Sequence, residues 1–218
     1  MQLIFVGDPM CSWCYGFAKE LAAALEADST LELEIVLGGL RAGGTELLDD
    51  AAKQFRLSHW QRVEAASGVP FNRAAFLARQ DFLYDTEPIC RAVVAARRLA
   101  PQGPLLEVFR ALQRAFYVEG LDTTAPSTLT RVIAESLRGA GFDVTPKGAL
   151  QVFEATQTIA EAQADFAKAR LWGINSFPAL LARVGEQLHV VTPGFRTASE
   201  IGEAVAAIRT RFASSVPG

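Results

Sequence analysis

The chain has 218 residues, of which 50% are hydrophobic and 21% are charged, so it can bury a sizeable core and lacks the composition of a disordered protein. This length suits one large domain, or one domain that carries an insertion. A net charge of -3 gives no basic surface for nucleic acid, and three cysteines are too few for a disulfide scaffold.

The beginning of the chain predicts a cytoplasmic location. The apolar run of residues 1–6 has no basic segment before it and ends at Gly7, too early for a secretory signal or a membrane span. No membrane partner is therefore expected. Because the cytoplasm keeps thiols reduced, a close pair of cysteines there is more typical of catalysis or metal binding than of a structural disulfide.

The N-terminal segment predicts a β-α-β unit. Residues 2–6 form a short β-type run that Pro9 closes, and from Ser12 the apolar residues follow helical spacing. Residues 31–37 alternate in a way that predicts a second strand with one face against the core. Since such crossovers are nearly always right-handed, we expect the two strands to be parallel.

Residues from about 45 to about 170 have helical periodicity and no strand character. Helix-start signals recur at Thr86, Pro126 and Thr145, and the apolar stripes between them predict a small bundle.

β character returns at residues 178–184 and 187–191, which predict a hairpin. Thr197 and Glu200 then form a capping-box pattern that predicts a final helix. The complete order predicts a discontinuous α/β domain interrupted by an all-helical one. Residues 1–44 and 172–218 are expected to form the first domain, and residues 45–171 the inserted domain.

Cys11 and Cys14 form the one close pair of cysteines. Cys11 precedes the first predicted helical turn, where unpaired N–H groups and the positive end of the helix dipole favour a negatively charged sulfur. A thiolate is the species that attacks a disulfide, and a second cysteine within reach can resolve the mixed disulfide. Cys14, one turn further, is expected to be more buried. The pair predicts thiol–disulfide exchange with a moderately activated thiolate at Cys11.

Three other interpretations of the pair remain open. It could be half of a zinc site, although only Cys90, His59 and His189 are available as further soft ligands, and none of them forms a second close pair. It could be a structural disulfide, which gains little from so short a loop. The two cysteines could also be buried as small apolar residues.

The stretch DPMCSWCYGF at residues 8–17 resembles the DsbA family of thioredoxin-fold proteins, especially members that lack a signal peptide. YVEG at residues 117–120 and WGINSFP at residues 172–178 are similar to weaker landmarks of that family. The family interrupts a thioredoxin fold with a helical domain between its βαβ and ββα halves. The resemblance, which spans nearly the whole chain, therefore implies an α/β thioredoxin fold with an inserted all-helical domain.

The resemblance also implies roles for individual residues. Cys11 becomes the attacking thiolate, Cys14 the resolving thiol, and Pro178 a cis-proline that faces them. Because proline has no N–H, Phe177 before it can offer its backbone to an extended substrate. Trp13, beside the nucleophile, is expected to be exposed and to contact substrate, the alternative being a partly covered side chain.

The expected partners are protein or small-molecule disulfides and thiols. No metal and no organic cofactor is expected, since the cysteines are themselves the redox group, and glutathione is a candidate co-substrate. The best-known DsbA pattern has Pro-His between its cysteines, whereas this chain has Ser12-Trp13. That difference argues against strong oxidising power and favours reduction or isomerisation.

Two other functions remain open. Hydroxychromene-carboxylate isomerases and kappa-class glutathione transferases resemble this chain in their insertion and use glutathione, but they need no resolving cysteine, so Cys14 argues against them. A non-enzymatic metal-binding or partner-binding module is the second. Cys90 is predicted to be a buried packing residue. Arg41 could receive a carboxylate, but its glycine-rich segment is interpreted as a flexible hinge between domains.

Overall fold

The computed structural model describes residues 1–213, and residues 214–218, which end the predicted segment 172–218, lie outside the described residues. Within that described part the chain forms four strands and nine helices. In chain order they are β1 (Gln2–Gly7), α1 (Ser12–Ala27), β2 (Glu32–Leu37), α2 (Asp50–Ser67), α3 (Arg73–Leu77), α4 (Glu87–Leu99), α5 (Leu105–Tyr117), α6 (Pro126–Gly139), α7 (Pro146–Glu154), α8 (Thr156–Leu171), β3 (Ala179–Val184), β4 (Gln187–Thr192) and α9 (Ala198–Ala213).

The four strands form one mixed sheet with the order β2-β1-β3-β4. β1 pairs in parallel with β2, as predicted, and β3 is antiparallel to both β1 and β4. The βαβ and ββα halves therefore share a sheet although seven helices separate them along the described chain. This arrangement confirms the predicted thioredoxin fold interrupted by a helical insertion.

Helices cover both faces of β1, one of the two inner strands of the sheet. Leu3 and Phe5 lie in the main core with α1 and the inserted helices, whereas Ile4 and Val6 pack in a smaller cluster with residues of α8. The same helix corrects one prediction. The alternation of β2 predicted a single buried face, but Val36 on the other face is only 1% exposed because α8 packs there.

The inserted helices share the core of the sheet. The rings of Phe5 in β1 and Phe109 in α5 lie 5.3 Å apart, centroid to centroid. The three predicted helix starts are confirmed, since Thr86 is the N-cap of α4, Pro126 begins α6, and the Thr145 hydroxyl accepts the Gly148 N–H at the start of α7. The division into domains at residues 44/45 and 171/172 stays a prediction.

Among the described residues, no helix is both long enough and apolar enough to cross a bilayer.

Candidate active site

Cys11 is the N-cap residue of α1. Its backbone is extended, with φ -82° and ψ 117°, because the strand ends before Pro9 and the helix begins only at Ser12. The Cys11 carbonyl accepts the N–H of Tyr15 at 3.0 Å, while its side chain makes no capping hydrogen bond. The first N–H groups of α1 thus remain available to a charge on the sulfur. Cys11 is 7% exposed, so a substrate has a narrow approach to it.

Cys14 lies one helical turn further and is fully buried. Burial holds the pKa of the Cys14 thiol well above its usual value, and a hydrogen bond with Cys11 together with the charge of Cys11 raises this pKa further. The two sulfurs thus lie in unequal environments. All three cysteines are free thiols in this structure.

A distant segment completes the site. The Cys11 thiol donates to the carbonyl oxygen of Phe177 at 3.6 Å, across 166 positions of sequence. The peptide bond between Phe177 and Pro178 is cis, and Pro178 is buried at the entry to β3. The Phe177 ring packs directly over the backbone of Gly38, where an added Cβ would lie 2.1 Å from the ring. The fold therefore brings together the four residues Cys11, Cys14, Phe177 and Pro178.

Trp13 is partly covered, contrary to the expectation of an exposed side chain. Its ring lies 5.9 Å from the ring of Phe195, centroid to centroid, and the guanidinium of Arg62 lies 5.7 Å from its centroid. Both neighbours come from parts of the chain far from the cysteines. Trp13 still lines the cavity beside Cys11.

A cavity of about 300 Å³ opens beside Cys11. Its apolar side includes Trp13 and Phe177, and its polar side includes Arg41, Arg56 and His59. Such a cavity can accept a compact molecule with an apolar body and an anionic group.

The segment that carries Arg41 is anchored, which corrects its interpretation as a flexible hinge. The Arg41 N–H donates to the Thr86 hydroxyl at 3.0 Å, and its carbonyl accepts the Thr86 N–H at 3.3 Å. The N–H of Leu40 donates to Asp8 at 2.7 Å, and that of Gly43 donates to Asp85 at 2.8 Å. The Arg41 side chain itself is exposed at the cavity.

Asp8 is a buried acid that sequence reasoning did not single out. Its carboxylate accepts the N–H groups of Met10 at 2.8 Å and of Leu40 at 2.7 Å. Complete burial raises the pKa of Asp8, although hydrogen bonds from Thr86, Met10, Leu40 and Cys90 oppose the shift. The signal that could have found it is an acidic residue directly after a buried apolar strand.

Cys90 is fully buried in α4, as predicted. Burial holds the pKa of its thiol well above the usual value, and the charge of Asp8 raises it further. Cys90 therefore stays a neutral thiol, and it does not line the cavity.

Two tyrosines were also missed by sequence reasoning. The hydroxyls of Tyr84 and Tyr117 donate to the carbonyl oxygen of Met10 at 2.7 Å and 2.6 Å. No local pattern connects these residues, because their contact with Met10 depends on how the inserted helices dock. Within residues 1–213, no three His, Cys, Asp or Glu side chains lie close enough together to hold a metal ion.

Solved structures identify the family. A protein described as a "putative protein disulfide isomerase" from Nitrosomonas europaea is 30% identical, with a TM-score of 0.86, over 96% of this chain and 98% of that one. The chain belongs to the DsbA-like family. DsbA-like proteins are thioredoxin-fold disulfide oxidoreductases, and this member is a disulfide oxidoreductase as well.

Other DsbA-like structures agree at lower identity. The cytosolic disulfide reductase DsbM from Pseudomonas aeruginosa is 25% identical, with a TM-score of 0.74, over 97% of this chain and 98% of that one. It has also been solved with glutathione, and in that structure the identity is 26% and the TM-score 0.72. A 2-hydroxychromene-2-carboxylate isomerase, 12% identical with a TM-score of 0.64, covers the whole of both chains and shares the fold. No protein-family model and no curated protein matches the chain.

Proposed function

We propose that this DsbA-like protein exchanges disulfides through Cys11 as nucleophile and Cys14 as resolving thiol. The observation that carries the proposal is the unequal pair of sulfurs at the start of α1. Cys11 meets the cavity, whereas Cys14 is sealed behind it with a raised pKa. A nucleophile must reach its substrate as a thiolate, and a resolving thiol must remain inactive until the mixed disulfide has formed.

The exchange proceeds in two displacements. The Cys11 thiolate attacks one sulfur of a substrate disulfide, so the substrate S–S bond breaks and one thiolate leaves and takes up a proton. Cys14 loses its proton and attacks the Cys11 sulfur, which releases the second substrate thiolate and closes the Cys11–Cys14 disulfide. The substrate has then gained two electrons and two protons, and two molecules of a thiol such as glutathione return the enzyme to its dithiol form.

Phe177, Pro178 and Trp13 are proposed to bind the substrate. The Phe177 carbonyl already accepts a hydrogen bond from Cys11, so it lies where the main chain of an extended substrate would pass the sulfur. Pro178 has no backbone N–H, so it cannot compete with the substrate for hydrogen bonds at that position. Trp13 and the Phe177 ring supply the apolar side of the cavity.

Glutathione is the proposed small-molecule partner. It carries two carboxylates, and Arg41 and Arg56, whose side chains can pair with carboxylates, line the same cavity as Cys11. The structure of DsbM with glutathione supports this choice. No metal and no organic cofactor takes part in the proposed reaction, because the cysteine pair itself carries the electrons.

Reduction or isomerisation is the proposed direction. Ser12 and Trp13, between the cysteines, bring no positive charge to the Cys11 sulfur, which limits the stabilisation of its thiolate. A cytoplasmic location is proposed as well, and reduced glutathione is available there. DsbM, described as a cytosolic disulfide reductase, supports both points.

Serine substitutions at each of the three cysteines test the proposal. With hydroxyethyl disulfide and reduced glutathione as substrates, Cys11→Ser is expected to lower the exchange rate to the uncatalysed value. Cys14→Ser, mixed instead with oxidised glutathione alone, is expected to stop after the first attack, and intact-protein mass measurement should detect a glutathione adduct at Cys11. Cys90→Ser, the matched control, should exchange as the wild type does.

Either of two results would contradict the proposal. One is wild-type exchange by the Cys11→Ser variant. The other is full turnover by Cys14→Ser without an adduct, which would instead support a glutathione-dependent isomerase or transferase that needs no resolving thiol.

A further inference from the structure

Met10, the residue before the nucleophile, has both polar groups of its backbone held by buried side chains. Its N–H donates to Asp8 at 2.8 Å, and its carbonyl oxygen accepts from Tyr84 at 2.7 Å and from Tyr117 at 2.6 Å. A carbonyl oxygen has two lone pairs, so two hydroxyl donors satisfy it completely. Met10 itself is 1% exposed. The peptide that joins Met10 to Cys11 is therefore fixed from within the protein.

The two hydroxyls belong to the inserted helical segment. Tyr84 lies just before α4, and Tyr117 ends α5. Packing limits the movement of both rings, because Tyr117 stacks on Tyr15 with centroids 4.7 Å apart and the Arg56 guanidinium lies 4.1 Å from the Tyr84 centroid. The insertion thus contacts the nucleophile's own backbone through hydrogen bonds.

Both phenols remain hydrogen-bond donors at the pH of thiol exchange. Burial raises the pKa of Tyr84 and of Tyr117, and a charge at Cys11 raises each of them further. Neutral tyrosines next to a sulfur that must become negative can keep the carbonyl dipole of Met10 turned towards their own O–H groups.

We propose that Tyr84 and Tyr117 are positioning residues that hold the Met10–Cys11 peptide so that the Cys11 sulfur stays at the start of α1. The inference rests on the proposed function of Cys11. Without the two hydroxyls the Met10 carbonyl would lose its partners in a buried place, and the extended backbone of Cys11 could relax away from the helix start. The thiolate would then lose part of its stabilisation, and the dithiol form would become less favourable relative to the disulfide.

The test compares Tyr84→Phe, Tyr117→Phe and the double variant with Tyr15→Phe. Tyr15 is the matched control because its hydroxyl donates to Pro70 at the surface, at 3.2 Å, and does not contact Met10. Two readouts are the midpoint pH of the Cys11 thiolate absorbance and the equilibrium constant of the cysteine pair with glutathione. The double variant should raise the midpoint by about 0.5 to 1 pH unit. Its equilibrium should shift by about threefold to tenfold towards the protein disulfide. Tyr15→Phe should change neither value.

A purely structural role would lower the thermal stability of the variants and leave both readouts unchanged, and that result would overturn the inference. If Tyr117→Phe does not fold, Tyr84→Phe alone decides, with a smaller shift in the same direction supporting the inference and no shift overturning it. The wild type separates the two claims. Absence of Cys11-dependent exchange in the wild type would overturn the proposed function and with it the inference, whereas normal wild-type exchange with unshifted variants would overturn the inference alone.

Discussion

The buried carboxyl of Asp8 connects the loop before Cys11 with the segment after β2. One oxygen accepts the Met10 N–H and the other accepts the Leu40 N–H. No ion-pair partner compensates its charge among the residues that the structure describes, and burial raises its pKa. The negative charge of Asp8 also contributes to the raised pKa of Cys14, after burial and Cys11. Asp8 thus holds the backbone near both sulfurs by hydrogen bonds, although burying its charge without an ion-pair partner is unfavourable.

The raised pKa of Asp8 predicts how stability changes with pH. An unfolded aspartate ionises near pH 4, below the raised pKa of the folded state, so between these values the folded protein binds more protons than the unfolded chain. Stability contributed by Asp8 is therefore greatest below about pH 4 and is lost as pH rises towards the folded pKa. The side chain of Asp8→Asn cannot titrate. Its amide has one acceptor oxygen instead of two, so one backbone N–H loses its acceptor, and the free energy of unfolding below about pH 4 falls by about 1–3 kcal/mol.

Urea unfolding of the wild type and of Asp8→Asn at a series of pH values measures this effect. The stability deficit of the variant should shrink as pH rises above about 4. A deficit that is independent of pH would contradict the burial of an ionisable carboxyl at this position.

α1, the helix that positions both cysteines of the candidate active site, packs closely on the inserted segment. Gly16 of α1 faces α2, where an added Cβ would lie 2.8 Å from the Ser67 oxygen and 2.9 Å from a Val63 methyl. The absence of a side chain lets the two helices approach, and so the insertion holds the helix on which Cys11 and Cys14 depend. By contrast, Gly202 in α9 has nothing within 4 Å of such a Cβ.

The same substitution in the two helices should therefore have opposite effects. Gly202→Ala should stabilise the protein by about 0.5–1 kcal/mol, because alanine loses less backbone entropy in a helix. Gly16→Ala should destabilise it by about 1–3 kcal/mol, because the added methyl overpacks the contact with α2. Thermal unfolding of the two variants measures both signs. A stabilising Gly16→Ala would contradict the close packing of α1 on α2.

At the scale of the whole molecule, the sequence predicted those secondary-structure elements that depend on residues close together along the chain. The alternation of residue types and the turn at Gly7 to Pro9 predicted β1 and α1, and with them Cys11 at a helix start. Helix-start residues such as Pro126 and Thr145 predicted parts of the insertion. These features follow from local periodicity and capping, which any short window of sequence contains.

Features that depend on docking between distant segments could not be predicted in this way. Tyr84 and Tyr117 reach Met10 only because the inserted segment docks on the rest of the fold, where α5 contacts α1 and its Phe109 ring packs on Phe5 of β1. Val36 is buried on what the alternation marked as an outer face, because α8 covers it. Trp13 is partly covered because Phe195, far along the chain, packs beside it. Contacts between side chains that are distant in sequence are determined by the tertiary fold.

Equilibration with glutathione tests the central claim most directly. The wild-type protein would be brought to equilibrium with mixtures of reduced and oxidised glutathione, quenched with an alkylating reagent and analysed by peptide mass. The account predicts one two-electron transition in which Cys11 and Cys14 lose their labels together and form a disulfide with each other, while Cys90 remains a thiol throughout. Separate labelling of Cys11 and Cys14 across all the mixtures, with no disulfide between them, would contradict it.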